Sequence, residues 1–399
     1  MDILVSILAA FGLAFLLGKI STSLGIPRVV GYIFAGLILG SVFFREIFFN
    51  AGAMDAFETV ANFGLILLFF FTGLKISLPS FIRNLKESFS ISFLNTLFPF
   101  VATFLFALYI GQSLPAALIL GLAMSVSAQA IIVDILDEIG LIKTKLGVLI
   151  LSAGSVDDIT ELVLLTIVLA FIGVSSAGNY AGLVINLLIF VLVVVAAKIF
   201  ILPYLFKVFS AQESDESLFG ASLGIALIMA VLSSFLGIGA VIGALIAGIL
   251  VRQFLSIEER KPWKYHKATQ NIHLVGFGFF IPLFFVWVGL KTDLGSILAE
   301  PFLILILFTI SFFLGMLGTW LGVRLNKGSS QEGLLVALGM ATKGDVELAV
   351  GVIALTAGII TNQIFSAIVV IALISSVIPP ILFTHFVKKY APATENGKK

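Results

Sequence analysis

Apolar runs long enough to cross a bilayer follow one another along nearly the whole chain, and they confine it to an all-α polytopic membrane fold. About 20 apolar residues in a helix match a hydrocarbon layer about 30 Å thick, and a helix satisfies its backbone groups within one segment. Of 399 residues, 60% are hydrophobic and 11% charged, with a mean hydropathy of +1.19; a soluble domain carries roughly a quarter charged residues. Thirteen spans fit the pattern, among them 27–42 (second), 114–138 (fifth), 145–173 (sixth), 302–323 (eleventh) and 331–358 (twelfth). Residues 1–389 read as one transmembrane unit and 390–399 as a short polar cytoplasmic tail with no regulatory domain. The first run, Ile3 to Leu17, lacks the preceding basic stretch of a cleaved leader.

The basic residues orient the spans. Twenty of the 23 Lys and Arg fall on the side that carries the C-terminus, two on the other side, and Lys343 inside a span. Basic residues stay in the cytoplasm, so the C-terminus is cytoplasmic and the N-terminus outside, in the plasma membrane of the cell. The loop Ser256 to Lys267 is basic and aromatic and reads as an interfacial lipid contact, whereas Gln212 to Ser217 is an acidic solvated loop. The chain has no cysteine, which excludes disulfides, thiol catalysis and thiolate metal sites. His266, His273 and His385 lie near membrane edges and suggest no metal site. No cofactor and no nucleic acid are implied.

An internal repeat is visible. Phe69 to Lys75 (FFFTGLK) recurs as Phe285 to Lys291 (FVWVGLK) at an offset of 216, and the same offset pairs Ser113, Leu118, Leu122 and Met124 with Ser329, Leu334, Leu338 and Met340. The third span ends inside and the tenth outside, so the two six-helix copies are inverted, with residues 180–203 as a linker helix. Inverted repeats imply alternating access around a midplane site where broken helices cross. The fifth and twelfth spans are the candidates for breakage. Their middles read Met124-Ser125-Val126-Ser127-Ala128-Gln129 and Met340-Ala341-Thr342-Lys343-Gly344-Asp345. Small polar residues there can unwind a helix and free carbonyls for cations, although Ser and Thr can also bond back to the preceding turn.

Asp157 and Asp158 stand in the middle of the sixth span. One carboxylate at bilayer depth costs roughly 2.5–3.5 kcal/mol, and ionisable residues there mark ion or proton paths. Adjacent helical side chains point about 100° apart, so the two acids do not share one small ion symmetrically. Hard monovalent cations take oxygen ligands, and the pair titrates as a coupled unit for which protons and a cation compete. Glu161, one turn on, fits a structural or a functional role equally, and Asp345 and Glu347 fit a cap or pair at a helix break.

These motifs together resemble the monovalent cation:proton antiporters of the NapA/KefC-like branch. The likeness rests on Pro27 to Gly40 (PRVVGYIFAGLILG), Gly64 to Lys75, Ala240 to Leu250, Phe280 to Leu294, the Val156-Asp157-Asp158 acid pair, and Met340 to Glu347 (MATKGDVE). It implies an NhaA/NapA-like fold with two crossing discontinuous helices, and a homodimer. The dimerisation subdomain would be 1–78 with 217–294, and the ion-binding core 88–173 with 302–387. Asp158 would be the principal cation and proton ligand and Asp157 its partner, with Ser125 and Ser127 supplying oxygens from the unwound fifth span. The eleventh-span lysine that the family's electrogenic members carry is absent: counting back from Arg324 lands on Gly315. Lys343 therefore either pairs with Asp157 or holds a structural ion pair with Glu161 or Asp345. The reading is exchange of Na+, K+ or Li+ for protons, and the chain is no enzyme. The alternatives are a sodium-coupled organic-solute symporter and, remotely, an intramembrane aspartyl protease, whose acids must sit on facing helices.

Overall fold

Glycines set how closely the long apolar helices approach one another. The computed structural model describes residues 3–49, 51–75, 85–177, 180–209, 215–257 and 262–390. The expected lipid-contacting loop 256–267, the acidic loop 212–217 and the polar tail 390–399 all reach into residues outside that description. Among the described residues the regular structure is entirely helical. In chain order the helices are α1 Ile3–Ser23, α2 Arg28–Leu39, α3 Val42–Phe48, α4 Ala51–Lys75, α5 Leu85–Tyr109, α6 Leu114–Ser125, α7 Gln129–Glu138, α8 Lys145–Ala177, α9 Tyr180–Ala196 and α10 Leu202–Phe209. They continue as α11 Asp215–Phe235, α12 Ala240–Ile257, α13 Pro262–Val275, α14 Ile281–Lys291, α15 Leu294–Ala299, α16 Pro301–Thr309, α17 Gly315–Leu325, α18 Ser330–Met340, α19 Val346–Thr356 and α20 Asn362–Tyr390. Short π-helical stretches at Ala197–Ile201, Gly276–Phe280 and Ile310–Leu314 join neighbours into longer rods.

By length and composition seven of these rods can cross a bilayer among the described residues, and the pair α2–α3, bent by 85°, makes an eighth. α2 falls within the second span expected at 27–42, and the bend comes at the end of that range. Gly40 lies against the Leu290 backbone, and the chain restarts as α3 after Ser41. α6 and α7 have 12 and 10 residues, and α18 and α19 have 11 each. At about 1.5 Å per residue none of the four reaches across a hydrocarbon layer alone.

The chain divides into two compact units. The first comprises Met1–Phe15, Ser41–Ser77 and Thr166–Trp287. Its core gathers Phe70, Leu74, Phe206, Met229, Ile242 and Val251. Within it α4 packs on α12 through Gly73, where a Cβ would sit 2.1 Å from the Leu245 carbonyl oxygen. Arg252 then donates to the last carbonyls of α4, Leu74 and Lys75, which have no partner inside the helix. The second unit comprises Leu16–Gly40, Leu78–Leu165 and Val288–Lys399. Ile91, Ile132, Ile150, Phe312, Val323 and Phe383 fill its core. Here Gly289 of α14 presses on α2 as Gly73 presses on α12, with a Cβ 2.2 Å from the Ile33 carbonyl. α17 meets α5 through Gly318 and Gly322, which brings the two backbones together beside Asn95.

Candidate functional site

The expected interruptions in the fifth and twelfth spans are present in the second unit. α6 opens on the Ser113 cap, whose hydroxyl accepts from the Ala116 amide, and ends at Ser125; α7 starts at Gln129. α18 opens on the equivalent Ser329 cap, with Glu332 completing a capping box, and ends at Met340; α19 starts at Val346. The two breaks touch. The Ala128 amide donates to the Thr342 carbonyl at 2.6 Å, the Thr342 hydroxyl returns a bond to the Ala128 carbonyl, and a Cβ on Gly344 would meet Ala128 at 3.3 Å. Each break thus satisfies backbone groups that the other leaves open.

Asp157 of α8 projects to this crossing with 0% exposure. Four neutral side chains donate to it. Ser92 and Thr96 reach Oδ1 at 2.9 Å each, Asn95 reaches Oδ2 at 3.1 Å, and the Ser127 hydroxyl also bonds Oδ2. Asn95 in turn accepts from Thr319 of α17 at 2.9 Å. Glu161 accepts from the Ser127 amide at 2.5 Å, so Ser127 joins both acids. Asp158 lies beside this cluster and is half-buried rather than sealed. Ser125 bonds back to the Leu122 carbonyl at 2.9 Å. Asp345 is the half-buried first residue before α19, and Glu347 is fully buried in its first turn.

Lys343 departs from the expected ion pair. Its ammonium, 5% exposed, donates to the Met124 carbonyl at 3.0 Å and to the Val126 carbonyl, and not to a carboxylate. The cause is the break itself: carbonyls at the end of α6 have no intrahelical partner and carry the negative end of the helix dipole. Ser311 of the π-helical stretch adds a bond to the Met124 carbonyl at 2.7 Å. A pocket lined by Asn95, Ser125, Ser127, Ser311, Gly315 and Lys343, among others, has room for about one water-sized body.

A sequence model for the family described as sodium/hydrogen exchanger, transmembrane, matches residues 7–389. The chain belongs to the sodium/hydrogen exchanger family. It is similar to the probable Na(+)/H(+) antiporter GerT of Bacillus cereus, 30% identical over 373 residues that cover 93% of this chain and 96% of that protein. An Na(+)/H(+) antiporter of Enterococcus hirae is 29% identical over 372 residues, covering 93% and 94%. The solved structure of the sodium proton antiporter MjNhaP1 from Methanocaldococcus jannaschii at pH 8 shares the fold, with a TM-score of 0.68 at 17% identity over 96% of this chain and 95% of that one. A sodium/hydrogen exchanger is an integral membrane transporter, which sets the protease alternative aside.

The site of this exchanger contains residues that the sequence reading passed over. Ser92, Asn95 and Thr96 of α5 contact Asp157, and with Ser88 and Thr103 they form a polar stripe at helical spacing along that helix. That stripe was the available signal. Gly315, where the resemblance places a lysine in electrogenic members, faces Asn95, with a Cβ 3.5 Å from its Oδ1.

Proposed function

We propose that this exchanger trades a cytoplasmic monovalent cation, Na+ first and K+ or Li+ after it, for external protons by alternating access. The observation that carries the proposal is the contrast between the two acids. Asp157 is sealed and held by four neutral donors, while Asp158 retains an accessible face beside it. The first suits a fixed partner that sets the local charge. The second suits the direct ligand for which cation and proton compete. Ser127 belongs to the shell of Asp157 and also lines the pocket, so an ion in the pocket has hydroxyl and amide oxygens around it and the Asp157 carboxylate one hydrogen bond away. Its size accommodates a bare ion and argues against an organic co-substrate.

The same proposal includes thirteen spans in two inverted repeats, with the C-terminus in the cytoplasm of a plasma-membrane protein. Matched serine caps at Ser113 and Ser329, and matched glycine contacts at Gly73 and Gly289, support the duplication. The core 88–173 with 302–387 carries the ion, and 1–78 with 217–294 forms a homodimer in lipid. That Asp157, Ser127, Asn95, Thr319 and Lys343 all belong to one compact unit favours a site that moves as one body.

The test is reconstitution in liposomes with an entrapped fluorescent pH reporter, adding each alkali cation in turn. Cation-driven proton movement is expected in wild type and lost in Asp158→Asn. Movement that survives the substitution removes Asp158 from the central role.

A further inference from the structure

Glu347 is a membrane-buried acid that the exchange scheme above leaves unused. Its side chain is fully buried, and neither carboxylate oxygen has a hydrogen-bond partner of good geometry; the Gly344 and Glu347 backbone amides lie near it. Four residues earlier the Lys343 ammonium is buried as well, yet it sits on the Met124 and Val126 carbonyls. The other ionisable groups nearby are few. Asp345 shares the segment, and Glu161 and Asp157 of α8 act on Lys343. Of the helices packed on α19, α6 has no ionisable side chain. In α20 the ionisable groups are His385, Lys388, Lys389 and Tyr390, nine residues or more beyond Ser376, whose hydroxyl meets the Lys343 carbonyl at 2.8 Å.

A bare carboxylate without a donor is a poor occupant of a dry interior. A neutral carboxyl is tolerated there, and so is an anion that recruits a cation. The Lys343 ammonium, on its flexible four-carbon stem, is the group that can move to it.

We infer that Glu347 is a second proton-exchanging carboxyl, and that its proton decides what occupies the Met124 and Val126 carbonyls. With the proton on Glu347, the ammonium stays on the carbonyls as a tethered cation. When the proton leaves through the pocket that Lys343 lines, the carboxylate draws the ammonium across. The freed carbonyls, next to Ser127, then serve as oxygen ligands for the transported monovalent cation. One proton departs for each cation bound at this step, so the charge in the core is unchanged. The inference rests on the antiport reading and adds a place where the proton is held.

The experiment measures the apparent cation KM in proteoliposomes across a pH series for wild type and Glu347→Gln. Each linked proton changes KM by about tenfold per pH unit over its titration range. Glutamine mimics the neutral carboxyl permanently, so the variant is expected to lose one such factor from the slope. A slope equal to wild type overturns the inference and leaves the antiport reading standing; a wild type that exchanges no cation sinks both. Infrared difference spectra on adding NaCl provide the second measurement, should glutamine fail to fold. A protonated-carboxyl band that disappears with Na+ and moves in Glu347→Asp is expected. If no cation-sensitive band moves in Glu347→Asp, the assignment is wrong.

Discussion

Asn95 shows how much a single neutral side chain does in this site. Its amide donates to Asp157 while its carbonyl accepts from Thr319, so it ties α5, α8 and α17 at one point. Asn95→Ala leaves the Thr319 hydroxyl without its acceptor and Asp157 with one donor fewer. The expected cost is about 1–3 kcal/mol, the usual result of orphaning a buried polar partner. It is measured as a lower thermal midpoint of the detergent-purified protein, with slower exchange. Asn95→Asp is expected to be worse, because it replaces the 3.1 Å donor to Asp157 with a like charge. Equal midpoints for the two variants would mean that Asn95 does not act as a donor to Asp157. The acid pair and the polar composition of both breaks were legible in the sequence, since charged and small polar groups inside apolar spans have few other uses. The partner of each acid was not. Which hydroxyl meets Asp157 depends on where α5 crosses α8, and that follows from Gly318 and Gly322 admitting α17 against α5. The destination of Lys343 was hidden for a related reason, because its partners are backbone carbonyls that no residue name reveals.

The helices were read more fully than the contacts between them. Both interruptions fall on the small polar runs that suggested them, whereas the 85° bend after Gly40 escaped notice, because the turn depends on Leu290, far along the chain. The serine caps permit a quantitative test. Ser113→Ala and Ser329→Ala each remove a hydroxyl that accepts from the amide three residues on, at 3.3 and 3.0 Å. Each is expected to cost about 1 kcal/mol. The loss at Ser329 should be the larger, since its hydroxyl makes the closer bond of the two. Thermal unfolding of the two variants checks the order. At α15 the expectation concerns pH. Asp293 accepts from the Ser296 hydroxyl and from the Gly295 and Ser296 amides, and these bonds hold its carboxyl below the ordinary aspartate value. A depressed carboxyl stabilises its cap above the unfolded value and loses that contribution as pH falls through the folded one. Amide hydrogen exchange at Gly295 and Ser296, after correction for intrinsic rates, should therefore accelerate in acid. In Asp293→Asn it should not change with pH. Protection that stays constant in wild type would show that the cap does not depend on charge.

At the scale of the whole molecule, the distribution of basic residues makes a claim that can be checked side by side. Because the chain has no cysteine, single cysteines can be introduced without background labelling. Arg45, Lys143 and Lys389 are all exposed. With thirteen spans, three separate Arg45 from Lys143 and eight separate Lys143 from Lys389. An odd number of crossings puts two sites on opposite faces, and an even number puts them on the same face. Arg45→Cys is therefore expected to react with a membrane-impermeant maleimide in intact cells. Lys143→Cys and Lys389→Cys should react only after permeabilisation. The broken pairs make this test decisive. If α6–α7 or α18–α19 entered and left by the same face instead of crossing, the parity of one interval would change: the first case would move Lys143 and Lys389 together, the second Lys389 alone. A switched label at Lys143 would mean that a span before it is miscounted, with α6–α7 the first suspect. A switch at Lys389 alone would place the error among the later spans, α18–α19 included. Either result would remove the inverted crossing on which a midplane ion site depends, because two half-helices meet there from opposite faces only if both pairs traverse the bilayer.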